Sequence, residues 1–181
     1  ITARMLWGRM PIERATALTY YHPGSYSSLL MYKLKYGNEP DIGVWFGEYM
    51  ANSLMPYGVF DGIDRVIPLP IHKRRERERG YNQSQEIARG IGDISSIKVQ
   101  NNIVERSRYT VSQTKLTHTD RTKNVKGAFT LLRPDAIRGK HVLLVDDIIT
   151  TGATIAACAN ELAKAENVKI SIMTVGRTHY I

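Results

Sequence analysis

The chain has 181 residues, of which 25 are basic and 17 acidic, giving a net charge of +8. That length suits one domain with a real core and a small appendage. No apolar run is long enough to cross a bilayer and no secretory leader is legible in residues 1–10, so a cytoplasmic protein without a membrane segment is expected. The one cysteine, Cys158, excludes an internal disulfide and a cysteine-rich zinc site, and the basic surplus suits an anionic partner, either nucleic acid or a polyphosphate metabolite.

Taken in order, residues 17–21 read as a short strand, broken by His22, Pro23 and Gly24. Residues 25–36 read as a helix with Leu29, Leu30 and Leu34 on one face and Gly37 as its stop. A second helix is expected from Asp41, with Trp45, Phe46, Tyr49 and Leu54 making apolar contact. Residues 64–69 read as a strand ending in prolines, followed by a very basic loop and a helix over 82–91. The stretch 105–127 is long, polar and rich in Thr, Lys and Arg, which suits a functional lid. Residues 141–145 form a continuous apolar strand of the kind buried in a parallel sheet. A helix over 154–165 follows, with Ile155, Cys158, Ala159 and Leu162 in step, and then a strand over 169–175. Strand, helix and strand in that order predict a right-handed crossover in an α/β sheet.

The chemistry concentrates where the apolar strand ends. Val142, Leu143, Leu144 and Val145 run into Asp146 and Asp147, and the turn Thr150-Thr151-Gly152-Ala153-Thr154 opens the next helix. If the strand ends at Val145, both acids emerge at its carboxyl end, where ligands of open α/β sheets gather. Two adjacent carboxylates repel unless ribose hydroxyls or a magnesium ion lie between them. The turn can cradle a phosphate: Gly152 permits a tight backbone, the helix start supplies N–H groups, and Thr150, Thr151 and Thr154 can add hydroxyls. A phospho-receiver domain would need a phospho-accepting Asp on a later strand, and none follows Asp147. A Walker-type hydrolase would need a G-x-x-x-x-G-K-[ST] loop, which is absent.

This segment resembles the phosphoribosyl pyrophosphate (PRPP) signature of type I phosphoribosyltransferases. Three further segments resemble the ComF competence family within that superfamily. They are Ile67-Pro68-Leu69-Pro70-Ile71-His72 with Arg75 and Arg79-Gly80-Tyr81-Asn82-Gln83; Arg106, Thr110, Gln113, Leu116, Arg121, Asn124 and Phe129; and Leu34-Lys35-Tyr36. The resemblance implies a mostly parallel twisted sheet flanked by helices, with a small N-terminal hood over residues 1–60, a core over 61–181 and a flexible lid over 105–127. It implies that Asp146 and Asp147 contact the ribose hydroxyls and, indirectly, a Mg2+ ion arriving with PRPP. Thr150, Thr151, Gly152, Ala153 and Thr154 would hold the 5-phosphate, and Pro70, Ile71, Arg75 and Arg79 the pyrophosphate. Arg121 is the lid's catalytic candidate, with Gln113 second and His118 either a proton shuttle or polar surface. Lys35 reads equally as a distant phosphate contact or as a helix-end surface lysine.

Purine-salvage relatives carry an Asp where this chain has Thr150, which argues against hypoxanthine or guanine salvage. The ComF family commonly carries an N-terminal four-cysteine zinc module; this chain begins about where that module would end, so no zinc is expected in it. Two functions follow from the resemblance. One is transfer of a phosphoribosyl group with release of pyrophosphate. The other is a non-catalytic module that senses PRPP or a ribose 5-phosphate nucleotide while a basic surface holds single-stranded DNA during uptake. Tyr20, Tyr21, Tyr26, Tyr32 and Tyr36 are the candidate stacking groups. Superfamily relatives often pair, so a homodimer is also expected.

Overall fold

The computed structural model describes residues 8, 10–109, 125 and 127–178. Its centre is a four-stranded sheet in the order β1-β6-β5-β2, in which every neighbouring pair is parallel. The strands are β1 (Arg14–Tyr21), β2 (Arg65–Pro68), β5 (His141–Ile149) and β6 (Lys169–Thr178). A separate antiparallel pair is formed by β3 (Val104–Arg106) and β4 (Phe129–Leu131). The helices are α1 (Tyr26–Tyr36), α2 (Asp41–Leu54), α3 (Lys73–Arg79), α4 (Gln83–Ser95) and α5 (Ala153–Leu162). The architecture is α/β, as expected: a parallel sheet with helices on both faces.

The apolar run of β5 divides between the two faces by strand alternation. Val142 and Leu144 join a core with Ile155, Cys158, Ala159 and Leu162 of α5 and with the β3–β4 pair. Leu143 and Val145 join a second core with α1, α2 and α4. That second face is very closely packed. A Cβ on Gly47 would lie 2.1 Å from the Ile87 carbonyl oxygen, and one on Gly90 would lie 2.1 Å from that of Val44. The α2 and α4 backbones therefore touch, and only glycine permits it. This contact helps set where the N-terminal end of α4 meets the sheet.

Several expectations need correction. The first strand begins at Arg14 and pairs with β6 inside the main sheet, while α1 and α2 share a core with α4. The boundary expected at residue 60 is thus crossed by the sheet and by the core. On α1 the buried side is Ser28, Met31 and Leu34, and Leu29 is exposed. On α2 the buried side is Gly43, Phe46, Gly47, Met50 and Ala51, and Trp45 and Tyr49 stack on each other on the outside. The basic stretch after β2 is a helix, α3, with His72 accepting the Arg74 N–H at its start and Gly80 ending it at φ +84°. The start of the expected lid, Glu105 and Arg106, belongs to β3. Residues 110–124, with Thr110, Gln113, Leu116, His118, Arg121 and Asn124, lie outside the described residues.

Candidate functional site

Strand β5 does not end at Val145. It runs to Ile149 and stays paired with β6, with Asp146 opposite Thr174. On its other side the pairing with β2 stops at Pro68–Val145. The acids therefore lie in a strand that has lost one neighbour, and the loss opens a cavity beside them. Leu69 N–H still donates to the Val145 carbonyl before the chain turns away.

The cavity has a volume of about 290 Å3. Its floor is Asp146 and Asp147. One wall is the turn into α5, through Thr150, Gly152, Ala153 and Thr154. Gly152 sits at φ +75°, in the left-handed region where side chains other than glycine are strained. From there the chain enters α5, whose first turn faces the cavity and carries the partial positive charge of a helix start. The opposite wall comes from α3 and the loop before it. Ile71, Arg75 and Arg79 line it, the two arginines being one helical turn apart on the same face. Arg74 and Arg77 are exposed on the outer side, where Arg74 pairs with Glu78. Arg79 donates to Gln83 Oε1 at 2.8 Å and lies over the Tyr36 ring.

Two predicted residues do not reach the cavity. Thr151 is buried beneath the turn, and its hydroxyl accepts the Ala153 N–H at 3.3 Å, which shapes the helix start from below. Pro70 is not among the lining residues. Arg121 lies outside the described residues.

The two acids have different surroundings. Asp146 Oδ1 accepts from Ser84 Oγ at 3.0 Å and from the Asp147 N–H at 2.8 Å. Its Oδ2 has no hydrogen-bond partner among the described residues. Burial and the charge of Asp147 push the Asp146 carboxyl up to about 7, against the pull of those hydrogen bonds and of Lys35. Asp147 uses both oxygens: Oδ1 accepts the Ile148 N–H, and Oδ2 pairs with Lys35 Nζ at 2.9 Å. Burial works to lower the Lys35 ammonium, but the charge and hydrogen bond of Asp147 outweigh it and hold the group above its ordinary value.

Two residues of the site, Ser84 and Tyr21, had no expected part in it, and Arg106 was expected there only at the start of the lid. Ser84 is placed by Asn82, which caps α4 through the Ser84 N–H and ties the helix start to the Leu69 carbonyl. Arg106, buried on β3 against the Phe129 ring, also lines the cavity. Burial and the nearby charge of Arg75 hold its guanidinium below its ordinary value, with Asp146 acting the other way. Tyr21, at the end of β1, closes a side. Arg106 was legible only as a family motif position, and an N-cap Asn two residues before Ser84 was the one local signal for that serine.

The phosphoribosyl transferase domain matches residues 43–178. DNA utilization protein YhgH of Escherichia coli O157:H7 is 28% identical over 171 residues, covering 93% of this chain and 74% of that protein. Competence protein F of Haemophilus influenzae is 37% identical over 102 residues, covering 56% of this chain and 43% of that protein. Among solved structures, glutamine PRPP amidotransferase from B. subtilis, complexed with ADP and GMP, matches with a TM-score of 0.48 at 20% identity, over 78% of this chain and 30% of that one. A domain match covering most of the chain, on a parallel sheet whose central strand carries an acid pair beside a phosphate-type turn, makes this chain a member of the phosphoribosyl transferase domain family, with competence proteins among its similar relatives.

Proposed function

We propose that the cavity binds PRPP and that the protein transfers its 5-phosphoribosyl group with release of pyrophosphate, in the service of DNA uptake. The observation that carries this reading is convergence on one cavity: an acid pair on the floor, a helix start on one wall, and Arg75, Arg79 and Arg106 around the rest. The acids suit the ribose hydroxyls. The α5 turn suits the 5-phosphate. The arginines suit the pyrophosphate, whose charge needs several cations.

Chemically, the C1–O bond to pyrophosphate breaks and its electron pair leaves with the pyrophosphate. A nitrogen nucleophile forms the new C1–N bond on the opposite face, and its proton passes to the departing pyrophosphate or to solvent. The chain contributes position and charge stabilisation rather than a covalent intermediate. The donor set fits a hard cation shared with the ligand: two carboxylates are present, and no group of three or more His, Cys, Asp or Glu among the described residues could hold a metal without help. Asp146 and Asp147 would hold Mg2+ together with substrate oxygens, and the ion would offset charge on the leaving group.

Calorimetric titration of PRPP with Mg2+ tests the site: binding is expected, and loss of it in the Asp146→Asn/Asp147→Asn variant. Unchanged binding in that variant removes the assignment. Pyrophosphate release with candidate nucleobases or amines then tests transfer. PRPP binding without turnover favours the sensing alternative.

A specific observation supports an accompanying interaction with single-stranded DNA. Tyr26, Tyr32 and Tyr36 of α1 are 89%, 63% and 62% exposed, with the last two rings 5.1 Å apart. Lys33 lies on the same helix, and Tyr36 reaches the cavity. Stacking rings interleaved with cations are what a single strand needs. Tyr20 and Tyr21 are half-buried in β1 and suit this role less. Salt-dependent retention of single-stranded DNA, lost in a Tyr26→Ala/Tyr32→Ala/Tyr36→Ala variant, is the expected result.

A further inference from the structure

The ion pair between Lys35 and Asp147 joins two parts of the chain that have separate reasons to be where they are. Lys35 stands in the last turn of α1. Its neighbour Leu34 is fully buried, and the Leu34 carbonyl accepts the Tyr81 hydroxyl at 2.6 Å. The end of α1 is thereby pinned to the segment that leads into α4. Asp147 lies in β5 between the paired Asp146 and Ile148, and its Oδ1 accepts the Ile148 N–H. The pair is well shielded, with side-chain exposures of 24% for Lys35 and 13% for Asp147, so it is not the loose surface contact whose worth is near zero.

The consequence concerns the acids. Among the described residues Asp146 Oδ2 has no hydrogen-bond partner, whereas Asp147 Oδ2 is already held by the ammonium. A ribose that uses both carboxylates must therefore share or displace Lys35. A ligand bearing pyrophosphate brings a replacement partner with more charge than one carboxylate. Arg75 and Arg79 stand on the wall where that pyrophosphate would lie, and Arg79 repels Lys35. A ligand with only a 5-phosphate reaches toward the α5 turn and offers no such replacement.

We infer that Lys35 is a specificity-determining residue: it holds Asp147 in the empty site and exchanges that carboxylate for the pyrophosphate, so the site favours diphosphate-bearing ligands over ribose 5-phosphate and nucleotide monophosphates. The inference rests on the PRPP reading of the cavity. The phosphoribosylated product lacks that group and is therefore held less tightly than PRPP once pyrophosphate has left. Removing the ammonium has opposite effects on the two ligand classes. PRPP loses a cation. Ribose 5-phosphate gains access to a carboxylate that had been occupied.

The test is calorimetry of PRPP and of ribose 5-phosphate, each with Mg2+, on the wild-type chain, Lys35→Gln and Lys35→Arg. In Lys35→Gln, PRPP affinity is expected to fall about tenfold or more, while ribose 5-phosphate affinity rises by about threefold or more. In Lys35→Arg, which keeps the charge beside Asp147, ribose 5-phosphate affinity is expected not to rise. A loss for PRPP with ribose 5-phosphate unchanged would make Lys35 a plain phosphate ligand and overturn the inference. A loss for both ligands would make it a structural support and overturn the inference equally. If Lys35→Gln does not fold, Lys35→Met, which also removes the charge beside Asp147, is read in its place: a fall for PRPP together with a rise for ribose 5-phosphate supports the inference, and any other pattern overturns it. If the wild-type chain binds neither ligand, the PRPP reading itself fails, a result distinct from all of these.

Discussion

The two walls of the cavity each follow the end of a parallel strand, yet they are built differently. After β5 the chain makes a short turn through Gly152 and starts α5, so that wall is made of backbone and small side chains. After β2 it makes a short helix, α3, and that wall is made of the ends of Arg75 and Arg79. The turn is held by the β5–β6 pairing up to Ile149, by the Ala153 N–H donating to the Thr151 hydroxyl and by the Ala156 N–H donating to the Gly152 carbonyl, so its backbone is fixed from both sides. Arginine side chains have many rotamers and can follow a ligand. The first wall is therefore a rigid mould and the second an adjustable clamp. Geometry should matter most on one side and charge on the other.

The sharpest way to break this comparison is at the floor between them. Asp146→Asn/Asp147→Asn should weaken PRPP binding by about a hundredfold or more, as two charge-assisted contacts go, and calorimetry reads this directly. On the rigid wall, Gly152→Ala should cost about tenfold for PRPP and for ribose 5-phosphate alike. A side chain at φ +75° carries about 1–2 kcal/mol of strain, and both ligands use that turn. On the adjustable wall, Arg75→Gln or Arg79→Gln should cost about three- to tenfold for PRPP and leave ribose 5-phosphate unchanged. If Gly152→Ala is silent while the arginine variants lose both ligands, the mould-and-clamp distinction is wrong.

Stability offers a smaller effect of opposite sign. The Asp146 carboxyl is raised in the folded state to about 7, so the folded chain binds that proton more tightly than the unfolded chain does. Stability is therefore lost as pH rises from the ordinary carboxylate range through about 7, and the loss is complete above it. Asparagine keeps an acceptor for Ser84 Oγ and the Asp147 N–H without the charge. The single variant Asp146→Asn should melt a few degrees above wild type at pH 8, on the order of 2–4 °C for each kcal/mol recovered. The gap should shrink as pH falls towards 4, and thermal melts at several pH values check it. Smallest of all, Arg74→Gln, on the outer side of α3, should change PRPP affinity by less than about twofold, since its pair with Glu78 is exposed.

Much of the rigid wall was legible in the chain. An apolar run of four residues reads as a buried strand, and a turn with glycine before a helical stretch reads as a phosphate-type loop. The adjustable wall was legible only as charge. Lys73, Arg74, Arg75, Arg77 and Arg79 with two glutamates show no apolar period, so nothing local marks a helix of seven residues. The β3–β4 pair was missed because each strand has only three residues, too few for alternation to show. The aromatic residues of α2 misled for a related reason. Trp45 and Tyr49 are large and apolar in part, yet the side that meets α4 needs glycine, and bulk cannot enter where two backbones touch.

What the sequence by itself determined is the order of elements around the acids and the need for a left-handed residue at Gly152. Both depend on neighbours a few positions apart, whose sterics and periodicity are local. What only the tertiary structure decided is the difference between the two acids. Ser84 stands 62 positions from Asp146, and Lys35 reaches Asp147 from another helix altogether. Carboxylates that are adjacent and alike in the chain became an open acceptor and an occupied one because distant elements brought different partners to them, and no local pattern encodes a contact of that range.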